Sequence, residues 1–102
     1  MYAIGYDIGS SSVKASIVRK DDGMLVAQGK YPGYEMPIAS PQPGWAEQDP
    51  ENWWQNVCIL THSLIKQHHI EPSHIQSIGI SYQMHGLVLL DKNQQVLRPS
   101  II

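Results

Sequence analysis

Tyr2-Ala3-Ile4-Gly5-Tyr6-Asp7-Ile8, then Gly9-Ser10-Ser11-Ser12, then Val13-Lys14-Ala15-Ser16-Ile17-Val18-Arg19: this opening stretch decides the fold. Alternation puts Tyr2, Ile4, Tyr6 and Ile8 on one face and Ala3, Gly5 and Asp7 on the other, the two-residue period of a β-strand. The small residues of the second face predict a strand packed on both sides, with something approaching closely there. Val13, Ala15 and Ile17 resume the alternation, so a tight Gly-Ser turn joins two antiparallel strands. Asp21-Asp22-Gly23 is a hairpin signal, and residues 24–30 read as a third strand. The first thirty residues are therefore expected to form a three-stranded antiparallel meander.

Working outward, residues 31–49 hold Pro32, Pro37, Pro41 and Pro43 with Gly33 and Gly44. They predict an extended surface loop, too long to be a mere connector. A helix begins at Asp49: Asp49 suits the cap, Pro50 the first helical position and Glu51 the positive end. Trp53, Val57, Leu60 and Leu64 recur at helical spacing, flanked by Trp54, Cys58, Thr61 and Ile65. Glu71-Pro72 stops the helix near His69. Residues 73–81 read as a fourth strand, with Ile75, Ile78 and Ile80 against Ser77, Gly79 and Ser81. Following a helix, it is expected to lie parallel to an earlier strand. Residues 86–91 and 95–98 predict a further hairpin that turns at Asp91-Lys92-Asn93-Gln94. Ile101-Ile102 reads as the approach to another strand, cut short.

The 102 residues are 42% hydrophobic and 16% charged, with a formal net charge of −2, a globular composition of one-domain size. The seven Lys and Arg are scattered, and no basic stripe marks nucleic acid as a partner. Cys58 is the single cysteine, so no internal disulfide forms and a reducing compartment is expected. No basic segment followed by an apolar run opens the chain, and no apolar stretch approaches the ~20 residues of a membrane span. His62, His68, His69 and His74 form no ligand-spaced cluster with each other or with Cys58, and read as solvated.

Three motifs carry chemistry. Asp7-Ile8-Gly9-Ser10-Ser11-Ser12-Val13-Lys14 ends a strand in an acid and then turns on glycine and hydroxyl residues. Successive N–H groups of such a turn can cradle an anion, and a carboxylate beside phosphate is useful where it meets a cation. The plain alternative is an ordinary hairpin with a solvated serine turn. Gly44-Trp45-Ala46-Glu47-Gln48-Asp49-Pro50, followed by Trp53-Trp54, reads as a helix start with aromatic anchors. Gln83-Met84-His85-Gly86 lies just past the fourth strand, where open α/β sheets bind ligands. An imidazole can bond a sugar hydroxyl and methionine offers an adaptable apolar wall, whereas a histidine beside glycine also serves in plain turns.

These residues resemble a known family. The Asp7–Lys14 motif resembles the first phosphate-binding hairpin of the actin, Hsp70 and sugar kinase superfamily, close to the DxGTSxxK form of the FGGY carbohydrate kinases. Ser10 stands where threonine is common, which keeps the hydroxyl. Trp45 to Pro50 resembles the W-x-E-x-D-P segment before the first helix of those kinases. Gln83-Met84-His85-Gly86, Leu87-Val88-Leu89-Leu90-Asp91 and Val96-Leu97-Arg98-Pro99 are similar to the branch that phosphorylates xylulose, in which a Met-His pair contacts the sugar.

The resemblance implies an α/β, RNase H-like domain with a mixed sheet, of which residues 1–102 are expected to be part of the N-terminal domain, the C-terminal domain being absent. It implies a cytoplasmic enzyme that uses ATP and Mg²⁺ and transfers the γ-phosphoryl group to the 5-hydroxyl of D-xylulose. Gly9, Ser10, Ser11, Ser12 and Lys14 are then expected at phosphate, Asp7 at Mg²⁺ through water, and Gln83, Met84 and His85 at the sugar. The catalytic base is expected beyond Ile102, which would leave these 102 residues inactive alone and prone to self-association through strand edges or the Ile101-Ile102 end. The alternatives are another FGGY kinase, for ribulose, gluconate or a deoxy-sugar, and a non-enzymatic actin-like domain that keeps only the hairpin.

Overall fold

A computed structural model describes all residues 1–102. The meander is present as β1 (Tyr2–Ile8), β2 (Val13–Arg19) and β3 (Leu25–Tyr31), with Ile4 opposite Ile17 and Asp7 opposite Lys14. The third strand begins one residue later than predicted because Met24 belongs to the turn. Its N–H donates to the Asp22 carboxylate at 3.0 Å, and its carbonyl accepts from the Arg19 N–H at 2.9 Å.

After the proline-rich loop comes β4 (Glu47–Gln48), two residues long, and then α1 (Pro50–Gln67). The Asp49 carboxylate accepts the Glu51 N–H at 3.0 Å, the cap that the sequence predicts. Leu60 and Leu64, one turn apart, are buried and press onto β2 and β3 together with Val57. Val13, Ala15 and Ile17 meet them from β2 and are almost fully buried. A side chain on Gly29 would begin 3.3 Å from the ends of both Leu60 and Leu64; bare backbone at that point of β3 lets the helix come down onto the sheet. The Thr61 hydroxyl bonds the Tyr6 hydroxyl at 2.5 Å, joining α1 to β1. Of the two expected aromatic anchors only Trp53 turns inward, since Trp54 is 63% exposed.

The helix stops at Gln67, slightly before the predicted end. A 3₁₀ turn over Pro72–His74 then precedes β5 (Ile75–Tyr82), so the fourth long strand starts at Ile75 and not at Ser73. The His74 N–H donates to the Glu71 carbonyl, which keeps these residues in the turn. β5 lies parallel to β1, as predicted, and the sheet order is β3-β2-β1-β5. β1, β3 and β5 thus run one way and α1 runs back. The carboxyl ends of these strands, the Gly9–Ser12 turn, the start of α1 and residues 83–102 share one end of the sheet.

Two expectations are corrected. The first is the packing of β1 on both faces: α1 covers only one, and Gly5 and Asp7 are exposed on the other. On the helix side, α1 sits over β2 and β3, and Ile78 and Ile80 of β5 remain 65% and 61% exposed. The second is the extent of the hairpin over 86–98: it turns at Asp91 as predicted, with the Leu90–Val96 bridge and with the Asp91 N–H donating to the Gln95 carbonyl and the Leu97 N–H to the Leu89 carbonyl, both at 2.9 Å, but it is too short to make two strands. There the Asp91 carboxylate also accepts the N–H groups of Asn93 and Gln95, local bonds that fix the turn. The expected strand approach at Ile101-Ile102 is itself paired: β6 (Ser100–Ile101) lies antiparallel to β4, and Leu87 bridges to Ile101.

Candidate functional site

The Gly9–Ser12 turn is fixed by its carbonyls. The Ser12 carbonyl accepts the Gly9 N–H at 3.0 Å, and the Ser11 carbonyl accepts the Met36 N–H at 2.9 Å. The Ser10 carbonyl accepts Nε2 of Gln48 at 2.5 Å. Three successive carbonyls are therefore held inside the protein, while the N–H groups of Ser10, Ser11 and Ser12 donate to no group of the chain. Consecutive free N–H groups on fixed peptide planes make an anion-binding concavity. A side chain on Gly9 would begin 3.2 Å from the Ser12 carbonyl oxygen, which explains the glycine in so tight a turn.

Asp7 is exposed at the end of β1, between its Cα partners Lys14 on β2 and Ser81 on β5. The two ion pairs of the chain are Arg19–Asp22 and Arg98–Glu47, so the Asp7 carboxylate and the Lys14 ammonium are free to meet a ligand. No group of three or more His, Cys, Asp or Glu stands together to hold a metal. A Mg²⁺ ion at Asp7 fits only in the manner usual for nucleotide sites, with one carboxylate and the remaining oxygens from phosphate and water.

Gln83, Met84 and His85 leave β5 at the same end. The Gln83 N–H extends the ladder by donating to the Ile8 carbonyl at 2.9 Å. Its side-chain Nε2 is shielded from solvent and has no partner, a donor waiting for an acceptor. Met84 is 77% exposed. His85 adopts φ 64°, while Gly86 does not take a positive φ; the strained turn position is held by imidazole and not by the neighbouring glycine. A cavity of about 290 Å³ lies here, lined by Ile8, Trp53, Ile80, Tyr82, Gln83 and His85 among others.

The structure thus brings the serine turn, Asp7 and the Gln83–His85 turn to one edge. Sequence reasoning missed Gln48 and Trp53 as parts of this edge. Trp53 Nε1 donates to Gln48 Oε1 at 3.1 Å, so the two connect the turn to the cavity. Gln48 was signalled only by the Trp45–Pro50 motif, and Trp53 only by following that motif and by its helical spacing with Val57, Leu60 and Leu64, signals that by themselves read as packing and capping.

Comparison with known proteins accords with this geometry. The family model for the N-terminal domain of the FGGY family of carbohydrate kinases matches residues 2–102. A xylulose kinase of Klebsiella pneumoniae is 42% identical over 101 residues, which covers 97% of this chain and 19% of that protein. A xylulose kinase of Escherichia coli (strain K12) is 38% identical over 99 residues, again covering 97% of the chain and 19% of the relative. Among solved structures, a xyloylose kinase from Brucella ovis superimposes with a TM-score of 0.89 at 37% identity, covering 100% of this chain and 21% of that one. The chain spans about one fifth of the length of the relatives it matches.

Proposed function

The chain belongs to the FGGY family of carbohydrate kinases, and from that membership we propose that it is the sugar- and phosphate-binding part of the N-terminal domain of an ATP-dependent xylulose kinase. The whole protein transfers the γ-phosphoryl group of ATP to the 5-hydroxyl of D-xylulose in the cytoplasm. The observation that carries the reading is the juxtaposition of a turn with three free N–H groups and a cavity bearing an unpaired amide and an imidazole. One half suits a polyphosphate and the other a polyol.

In this reading the amides of Ser10, Ser11 and Ser12, with their hydroxyls and Lys14, bind phosphate oxygens. Asp7 would hold Mg²⁺ through water, and the ion when bound would supply positive charge to the transferring group. Gln83 Nε2 and the His85 ring bond sugar hydroxyls, while Met84, exposed beside the cavity and not among its lining residues, offers an apolar contact from outside it. The chain contributes position and electrostatics, the main currency of phosphoryl transfer. The base that accepts the sugar proton is assigned to the part of the protein beyond these residues, so the 102-residue chain alone is inactive.

The test is a substrate panel on the whole protein with ATP and Mg²⁺, comparing D-xylulose, D-ribulose, gluconate, glycerol and a deoxy-pentose by kcat/KM. D-Xylulose is expected to lead by at least about ten-fold, the discrimination that one or two well-placed hydrogen bonds provide. A higher value for another sugar overturns the substrate but keeps the class. Absence of phosphoryl transfer to every sugar, with intact nucleotide binding, overturns the enzyme reading.

A further inference from the structure

We propose that Gln48 is a positioning residue that locks the phosphate turn to Trp53 in the wall of the sugar cavity, so that a change at Trp53 is felt at the phosphate side. The inference rests on the functional reading above and extends it to a residue that touches neither ligand.

The geometry leaves the Gln48 side chain one arrangement. Its residue is 4% exposed. Its backbone is held in β4 opposite Ser100, one residue before the helix cap at Asp49. The indole Nε1 of Trp53 can only donate, so it takes Oε1 of Gln48. Nε2 is then turned to the Ser10 carbonyl, which can only accept. A reversed amide would set donor against donor and acceptor against acceptor. Trp53 therefore fixes the orientation of the Gln48 amide, and that amide fixes the Ser10–Ser11 peptide plane, whose N–H belongs to the cradle.

Trp53 is also a wall of the cavity that contains Gln83 and His85. One side chain thus bridges the serine turn and the cavity wall, across 38 residues of sequence from Ser10. A plain core residue or a plain cap does not need this double contact: the amide answers two polar groups, the Trp53 N–H and the Ser10 carbonyl, that an apolar side chain would leave unpaired.

Three variants of the whole protein test the lock. Gln48→Glu keeps the acceptor for Trp53 but sets a carboxylate oxygen against the Ser10 carbonyl. Gln48→Met keeps the volume and removes both bonds. Trp53→Phe keeps the cavity wall aromatic and removes only the orienting donor. All three are expected to weaken ADP binding, measured by calorimetry, by about three- to ten-fold, the scale of one neutral hydrogen bond. KM for ATP should rise in parallel, while the Kd for D-xylulose in Gln48→Glu changes less than about two-fold. The Trp53→Phe result is the most telling, since a purely local sugar-side residue would leave ADP affinity alone.

Variants that lose kcat through a smaller folded fraction, with ADP affinity unchanged, overturn the proposal. So does full ADP affinity in Gln48→Met. Because ADP binding is read without turnover, the two readings separate. Loss of ADP affinity in a protein that phosphorylates no sugar would keep the lock and reject the kinase assignment. Normal sugar phosphorylation with unchanged ADP affinity would do the reverse.

Discussion

Glu47 and Arg98 form an ion pair between the residue that opens β4 and the approach to β6, 51 positions apart in sequence. The Glu47 side chain is 10% exposed and that of Arg98 42%. The pair is asymmetric: solvent supports the guanidinium, while the carboxylate depends on its partner. Removing Arg98 should therefore cost more than removing both. Arg98→Met is expected to lower unfolding free energy by about 1–2 kcal/mol, reduced from the buried-pair scale because of that exposure. Glu47→Gln with Arg98→Met should recover most of it. Urea melts of the parent and the two variants check this, and a double mutant no better than Arg98→Met would reject the asymmetry.

The contact of Gly29 with Leu60 and Leu64 makes a second stability prediction. Gly29→Val adds a branched side chain where only backbone fits, and should destabilise by about 1–3 kcal/mol through overpacking. Leu64→Ala in the same chain vacates the space, so the two changes should be less damaging together than their sum. Additive effects in a double-mutant cycle would show that the helix does not rest on Gly29.

The parts of the fold that were legible in the sequence are those set locally. The alternation of Tyr2–Ile8 and Val13–Ile17 required nothing beyond a two-residue period, and Asp49-Pro50 states its own cap. What was not legible depends on partners far along the chain. β4 and β6 have two residues each, too few for a period, and exist because Glu47 and Gln48 meet Ile101 and Ser100. The open second face of β1 could not be read from Gly5 and Gly79, since small residues signal close approach without saying which segment approaches. At the candidate site, Asp7, Ser10–Ser12 and His85 stood out as candidates by residue type. Gln48 did not, because its role lies in two hydrogen bonds that join segments 38 and 5 positions away.

His85 at φ 64° separates stability from binding. His85→Gly removes the left-handed strain and should stabilise the chain by about 0.5–1 kcal/mol, whereas His85→Ala keeps the strain and should not. Both should weaken D-xylulose binding by the whole protein by about 1–3 kcal/mol, the cost of an unpaired polar group, and leave ATP affinity nearly unchanged. Thermal melts and calorimetry give the two readouts. Retained xylulose affinity in both variants would place the sugar elsewhere.

Asp7 is exposed and pairs with no cation of the chain, so Asp7→Ala should leave folding stability within about 0.5 kcal/mol of the parent. In the whole protein the same change should lower kcat by about two or more orders of magnitude with sugar affinity intact, since the lost contact is with the metal-bound phosphates. Near-normal turnover at saturating Mg²⁺ would remove Asp7 from the mechanism.

β5 has β1 on one side and an open edge on the other, and Ile78, Ile80 and Tyr82 are 65%, 61% and 71% exposed along it. Unpaired strand edges with apolar side chains pair readily with another copy. The isolated 102-residue chain is therefore expected to self-associate as its concentration rises, seen by sedimentation velocity. Ile78→Lys with Ile80→Lys should suppress this, because a charge on an edge strand opposes the second copy. Both residues are far from burial, so the double variant should keep the secondary structure seen by circular dichroism. Association that survives the two lysines would assign the sticky surface to the other edge, β3, or to Ile101. A clean monomer of the parent at high concentration would refute the sticky edge.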